Sequence, residues 1–238
     1  MSEARTRILD ALATVYDPEL DEPITELRFV SACEVTADGE VEIRLRLPTP
    51  QCAPNFALLM AADARRVARR LPGVRGVTVV LEDHYTGDEI NAAMGRGEGF
   101  TGAFPGETED DELESLRALF LRKALVARQS RLCEALVAEG LTPEQVTGRR
   151  VHDLPAEDPQ VQRCLALREQ LGIESEEQSP AFVLASGEPV GAGELVRWLR
   201  MARLIRTSLE VNGGICRSLL QFRHELAPDP NDPQEVSR

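Results

Sequence analysis

The sequence predicts an α+β protein in which a small α-β-β-α-β domain over residues 1–94 is followed by a mainly α-helical domain over residues 115–226. Two observations lead to this prediction. Apolar residues alternate strictly with charged ones from Val41 to Leu47, which is the pattern of a half-buried strand. Beyond a glycine-rich and acidic stretch at residues 95–114, which we interpret as a linker, apolar residues recur mostly at helical spacing.

The first predicted elements are a helix and a hairpin. Residues 5–15 place their apolar side chains on one side of a helix, and Asp17-Pro18-Glu19 ends it because the residue before a proline is pushed out of the α region. The β-rich residues 24–35 and the alternating strand at 41–47 are joined by a glycine-containing turn. We therefore expect a hairpin with one solvated face.

The remaining elements of this domain follow a proline-rich loop. Pro48-Thr49-Pro50-Gln51-Cys52-Ala53-Pro54 ends the sheet, because proline cannot donate a ladder hydrogen bond. The pattern then predicts an amphipathic helix from Pro54 or Asn55 to about Leu71, a short strand at 77–81 and a helical turn at 88–94.

Beyond the linker, helix start and stop signals dominate the sequence. We predict a helix at 113–137, a capping box at Thr142, a helix at 159–171 and a β-like stretch at 181–185. A long helix should then run from about Gly193 to Val211 and end at Asn212-Gly213-Gly214, and residues 227–238 should form a flexible tail.

Composition narrows the classes of function. The net charge of −13, with 40 acidic against 27 basic residues, argues against nucleic-acid and membrane partners. Without a membrane-spanning run or leader-like N-terminus, we expect a cytoplasmic protein with reduced thiols. Sequence motifs of nucleotide-binding loops, zinc proteases and serine hydrolases are absent, so we do not expect an enzyme.

Cys52 is the cysteine whose sequence surroundings most favour reactivity. It lies between prolines, after a strand and at the start of a helix, where free N–H groups and the helix dipole favour thiolate. Its simplest alternative role is that of a small buried apolar residue. We interpret Cys133 and Cys164 as core residues of helices, whereas the role of Cys216 stays open.

Three features together resemble the PaaD-like and SufT-like iron–sulfur cluster assembly domains. They are Asp17-Pro18-Glu19 after a helix, the hairpin that leads into the Cys52 loop, and the strand at 77–81 after an amphipathic helix. Their order and spacing agree over residues 5–92. The resemblance implies an α+β domain that matures iron–sulfur or iron-dependent enzymes, sometimes multicomponent di-iron oxygenases.

The resemblance also implies a set of site residues. Cys52 falls where the family places its functional cysteine, Asp17 and Glu19 fall on the acidic triplet, and Thr49 falls on the hydroxyl residue before the cysteine. Two departures concern neighbouring positions. Ala53 separates Cys52 from the proline that follows it directly in many relatives, and His84-Tyr85 replaces the usual tryptophan. We expect Cys52, Glu19 and His84 to bind metal or cluster, with Asp17 and Thr49 in support.

We therefore predict a non-catalytic maturation factor that binds iron or an iron–sulfur cluster transiently and passes it to a client metalloenzyme or another assembly protein. Iron chemistry prefers thiolate, and a carboxylate or imidazole fills an exchangeable position. Two chains that share one cluster through paired Cys52 residues would form a homodimer. The alternatives are a metal-free adaptor or chaperone that stabilises an apo-enzyme, and a thiol oxidoreductase that needs a second thiol within about 7 Å between Cα atoms.

Overall fold

The computed structural model describes residues 3–106 and 110–225. Helices and strands share the first part of the chain and helices dominate the rest, which confirms the predicted α+β class. The described residues form two compact units. The first comprises the residues up to Ser115 together with those from Val211 onward, and the second spans Leu116–Glu210. Residues 211–225 belong to the same unit as the N-terminal residues.

The first unit contains a three-stranded sheet with helices. Its elements in chain order are α1 (Glu3–Leu12), β1 (Tyr16–Asp17), β2 (Glu22–Pro23), β3 (Val30–Val35), β4 (Glu40–Arg46), α2 (Pro54–Arg69), β5 (Gly76–Glu82), α3 (Gly87–Arg96) and α4 (Phe100–Ala103). Strand β4 is central: β3 pairs with it antiparallel as the predicted hairpin, and β5 pairs with it parallel. The parallel pairing requires a crossover, which α2 provides.

The alternation of β4 determines which face of the sheet is buried. Val41, Ile43 and Leu45 are at most 2% exposed, whereas the residues between them are only half-buried. Helix α2 covers this face with an apolar stripe that its sequence spacing predicts. The residues of α2 buried in the core are Ala57, Leu58, Leu59, Met60, Ala61, Ala64 and Ala68.

The predicted linker is folded where the structure describes it. Helix α3 continues to Arg96, and Phe100 and Phe104 are buried in the core of the first unit with ring centroids 4.8 Å apart. The two phenylalanines at helical spacing outweigh the glycines around them, because their burial offsets the chain entropy lost on ordering. The centre of the acidic run, residues 107–109, lies outside the described residues.

The second unit is helical, with helices α5 (Asp110–Ala138), α6 (Pro143–Thr147), α7 (Pro159–Leu171) and α8 (Leu195–His224), of which α5 begins and α8 ends in the first unit. The capping box predicted at Thr142 is confirmed: the Thr142 hydroxyl accepts from the Gln145 N–H at 3.3 Å and the Gln145 side chain accepts from the Thr142 N–H at 2.8 Å. Both bonds satisfy donors that a helix start leaves unpaired.

The β-like stretch at 181–185 is not a regular strand. It forms one isolated bridge, Val183 with Pro189. Loop backbone and buried side chains together satisfy its polar groups: the Ala181 N–H donates to the Arg149 carbonyl at 2.9 Å, Gln129 bonds both the N–H and the carbonyl of Val183, and the Arg168 guanidinium donates to the Ala181 carbonyl. The apolar pattern of this stretch therefore reflects burial rather than sheet pairing.

The prediction that the last helix ends at Asn212-Gly213-Gly214 is wrong, because α8 continues to His224. We call residues 211–224 of this helix the return segment. A Cβ at Gly213 would lie 2.7 Å from a Glu22 carboxylate oxygen, so a side chain there would displace the end of the Glu22 side chain. The glycine lies inside the helix and allows the helix to approach Glu22 closely. The predicted tail at 227–238 lies outside the described residues.

One face of the return segment packs against the N-terminal unit. Leu220 is 1% exposed and belongs to the same core as the sheet and α2. Arg217 pairs with Glu22, and Arg223 pairs with Asp83 and donates to the Pro48 carbonyl at 2.8 Å. No helix among the described residues is both long and apolar enough to span a membrane.

The packing of the return segment predicts different costs for two neighbouring leucines. Leu220→Ala should destabilise the protein by about 2–5 kcal/mol, because it removes a buried side chain and leaves a cavity. Leu219→Ala is the matched control: its side chain is 38% exposed, so the loss should stay below about 1 kcal/mol. Urea unfolding of the full chain measures both. Equal costs would contradict the packing described for this segment.

Candidate functional site

Cys52 lies in a tight loop between the central strand and its crossover helix. The Cys52 N–H donates to the Thr49 carbonyl at 3.3 Å, and the Thr49 hydroxyl oxygen lies 3.6 Å from the Cys52 sulfur. Helix α2 begins two residues later with Pro54 at its first position, where a proline costs no hydrogen bond. The thiol is half-buried, so it is held by the loop and still reachable.

A second loop, after β5, fixes the backbone of the Cys52 loop. The Tyr85 N–H donates to the Pro50 carbonyl at 3.0 Å, and His84 Nε2 lies 2.7 Å from the Cys52 carbonyl oxygen. The Thr86 N–H donates to His84 Nδ1 at 3.3 Å. Because a backbone N–H only donates, Nδ1 is the accepting nitrogen and Nε2 carries the proton that it donates to Cys52. Both ring nitrogens of His84 therefore have hydrogen-bond partners.

The acidic triplet forms a turn between the short strands β1 and β2. Asp17 is 7% exposed, and its Oδ1 accepts the N–H groups of Glu19 at 2.8 Å and of Leu20 at 2.9 Å. Burial raises the pKa of Asp17 to about 6 against the lowering effect of these bonds, and the charges of Glu19 and Glu22 raise it further. The Glu19 side chain is itself half-buried.

Cys216 lies on the face of the return segment that packs against the first unit, near the acidic triplet and Cys52. Its side chain packs against the core of the first unit, as does that of Cys52. Burial raises the pKa of the Cys216 thiol to about 12, and the charges of Asp17, Cys52 and Glu19 raise it further, while Arg217 opposes them. Cys216 thus lies within electrostatic range of three of the residues that the sequence nominates.

The sequence left the role of Cys216 open, although one signal was available. Gly213, Cys216, Leu220 and Arg223 follow one another at spacings of three, four and three, which is one face of a helix. We interpreted the glycines as a helix end, and this hid the pattern. The predictions for Cys133 and Cys164 are confirmed, since both are buried in apolar clusters of the second unit.

Each predicted site residue lies near the Cys52 loop or the acidic turn. Thr49 contacts the sulfur, His84 bonds the Cys52 backbone, and Asp17 and Glu19 interact electrostatically with Cys216. Among the described residues, no group of three or more His, Cys, Asp and Glu side chains is arranged to hold a metal ion. The arrangement therefore provides thiols and a carboxylate turn rather than a closed metal cage.

Comparison with known proteins defines the class of this domain. A family model described as iron–sulfur cluster assembly protein matches residues 5–80. An uncharacterized protein of Methanocaldococcus jannaschii is 32% identical over 87 residues, which cover 37% of this chain and 90% of that protein. A protein of Porphyromonas gingivalis named Fe–S protein maturation auxiliary factor is 35% identical over 75 residues, which cover 31% of this chain and 69% of that protein.

No solved structure matches the chain. The family model covers residues 5–80, which hold strands β1 to β4, most of β5, the Cys52 loop and the acidic turn. Through this domain the chain belongs to the iron–sulfur cluster assembly protein family, which confirms the resemblance found in the sequence.

The buried carboxyl of Asp17 gives a pH-dependent prediction. A folded-state pKa of about 6, above the ordinary 3.8, means that its contribution to stability is complete below pH 3.8 and is lost as the pH rises through 6. Asp17→Asn keeps the acceptor oxygen and cannot ionise. We expect this variant to be more stable than the wild type at pH 8, by on the order of 1–3 kcal/mol, and equally stable near pH 4.

Urea midpoints at the two pH values measure this difference. Glu26→Gln, in the same unit, serves as a control for the loss of one negative charge. A variant that loses stability equally at both pH values would show that Asp17 ionises in the fold without a burial cost.

Proposed function

We propose that the protein accepts iron or an iron–sulfur cluster as cargo at Cys52, holds it transiently and passes it to a client metalloenzyme. The observation that carries the proposal is a half-buried thiol on a proline-bounded loop at a helix start, within a domain of an iron–sulfur assembly family. Family membership supports a general role in iron–sulfur maturation. The name of the Porphyromonas gingivalis relative supports the same role.

Transfer requires a site that binds iron without retaining it. Thiolate is a preferred ligand of iron–sulfur clusters, and a carboxylate is a weaker, exchangeable donor in such a site. We propose Cys52 as the primary ligand and Glu19, beside the buried Asp17, as the exchangeable one. The Thr49 hydroxyl, 3.6 Å from the sulfur, supports the proposal by offering a hydrogen bond to a thiolate.

We propose that His84 positions the Cys52 loop and does not bind the cargo. Ligation by His84 would require one of its two hydrogen bonds to break, with Cys52 or with Thr86. Its bond to the Cys52 carbonyl instead limits the movement of the loop that carries the thiol. A ligand that is held through its backbone keeps its geometry while the cargo leaves.

A client must approach the thiol to receive cargo. Tyr85 is 59% exposed and directly follows His84, and its N–H is bonded to the Cys52 loop. Tyrosine is among the residues most enriched at the centres of protein interfaces. We propose Tyr85 as part of the client-binding surface and the second unit as the adaptor that selects the client. An iron-dependent oxygenase is one such client.

Anaerobic reconstitution with iron and sulfide tests the cargo site. We expect visible charge-transfer bands and bound iron in the wild type and their loss in Cys52→Ala, because the primary thiolate is gone. His84→Ala should keep its iron, since the ring only positions the loop. Cys164→Ala, which removes a thiol of the second unit, is the control for cysteine loss.

Three results would contradict the proposal or one of its parts. Equal iron content in the wild type and Cys52→Ala would place the cargo elsewhere. A colourless wild-type protein that still binds its client in stoichiometric amounts would indicate the metal-free adaptor. Loss of iron in His84→Ala as complete as in Cys52→Ala would make His84 a ligand. The mass of the loaded species shows in the same experiment whether two chains share one cluster.

A further inference from the structure

We propose that Cys216 is a second thiol ligand of the cargo, so that the return segment completes the site that the assembly domain begins with Cys52. This inference rests on the proposed function and adds to it a ligand that lies outside residues 5–80, which match the family model. It assigns to the C-terminal end of the chain a direct part in binding cargo.

The contacts on either side of Cys216 fix its direction. Residue Cys216 is three positions after Gly213, whose backbone lies against the Glu22 carboxylate, and seven positions before Arg223, which donates to the Pro48 carbonyl. Positions seven apart are about two helical turns apart on one face. The side chain between these two anchors therefore points at the N-terminal unit, between the acidic turn and the loop that carries Cys52.

The pairing of the short strands places the acidic turn beside Cys216. Asp17 is the register partner of Glu22 in the β1–β2 ladder, and Glu22 pairs with Arg217, the neighbour of Cys216. Leu220, one turn further along the same face, is buried in the core. Contacts of the return segment with Glu22, with the core and with the Pro48 carbonyl thus fix the position of Cys216. Each of these contacts involves a different part of the N-terminal unit.

A pair of thiols suits a thiophilic metal. Two thiolates from one chain can bind one Fe²⁺ or one of the two irons of a [2Fe–2S] cluster. Such a cluster takes four thiolates in all, so the client would supply the two ligands of the other iron. On binding, each thiol releases its proton to solvent and each sulfur donates an electron pair to the metal, so no oxidant or reductant is needed. The Arg217 guanidinium offsets part of the negative charge that two thiolates bring together with Asp17 and Glu19.

Anaerobic titration of the full chain with Co²⁺ tests the inference, because thiolate-to-cobalt absorption grows with the number of thiolates bound. We expect Cys52→Ser and Cys216→Ser each to retain about half of the wild-type absorption, and the double variant to retain none. Cys164→Ala should match the wild type. Cys216→Ser with full wild-type absorption would overturn the inference.

The same series separates this inference from the proposed function. Absorption that depends on Cys52 and not on Cys216 leaves the cargo site intact and rejects the second ligand. A wild type without charge-transfer absorption rejects both. Circular dichroism and urea midpoints of Cys216→Ser and Cys216→Ala identify a loss caused by unfolding, and a folded Cys216→Ala that binds Co²⁺ as the wild type does also rejects the second ligand.

Discussion

The contact between the return segment and the N-terminal unit is the constraint on which the arrangement of the site depends. Leu220 enters the core, Arg217 pairs with Glu22, and Arg223 reaches the Pro48 carbonyl and Asp83. The two ion pairs would contribute little by themselves if they were isolated on the surface. With a buried leucine between them they fix the rotation of the helix, and this rotation decides that Cys216 faces the acidic turn.

The domain holds its reactive groups at a cost in stability. Asp17 is buried although it carries a carboxyl whose ionised form is penalised there, and Cys216 is partly buried near acidic side chains that disfavour its thiolate. Such shifts cluster at functional sites, because a site built for stability alone would use apolar side chains. In the Cys52 loop, prolines and the hydrogen bonds from Tyr85 and His84 fix the backbone, while the thiol stays half-buried.

Much of the N-terminal domain follows from local sequence signals. The alternation at Val41–Leu47, the prolines around Cys52 and the amphipathic pattern of α2 each lead to the observed element, since each depends on neighbours in the chain. The position of Cys216 depends on a contact between residues almost two hundred positions apart, Glu22 and Arg217, which no local pattern encodes. The same applies to Gly213, where local propensity predicts a helix end and close approach to Glu22 explains the glycine.

The proposed juxtaposition of the Cys52 and Cys216 thiols is open to direct measurement without any metal. Dibromobimane becomes strongly fluorescent when both of its reactive arms alkylate neighbouring thiols, and peptide mapping identifies the two cysteines. If Cys52 and Cys216 are joint ligands as proposed, we expect a fluorescent Cys52–Cys216 adduct in the reduced wild-type chain, and none in either single serine variant. A wild-type chain in which the reagent joins other cysteines, or in which Cys52 and Cys216 react only singly, would contradict the placement of the return segment beside the Cys52 loop.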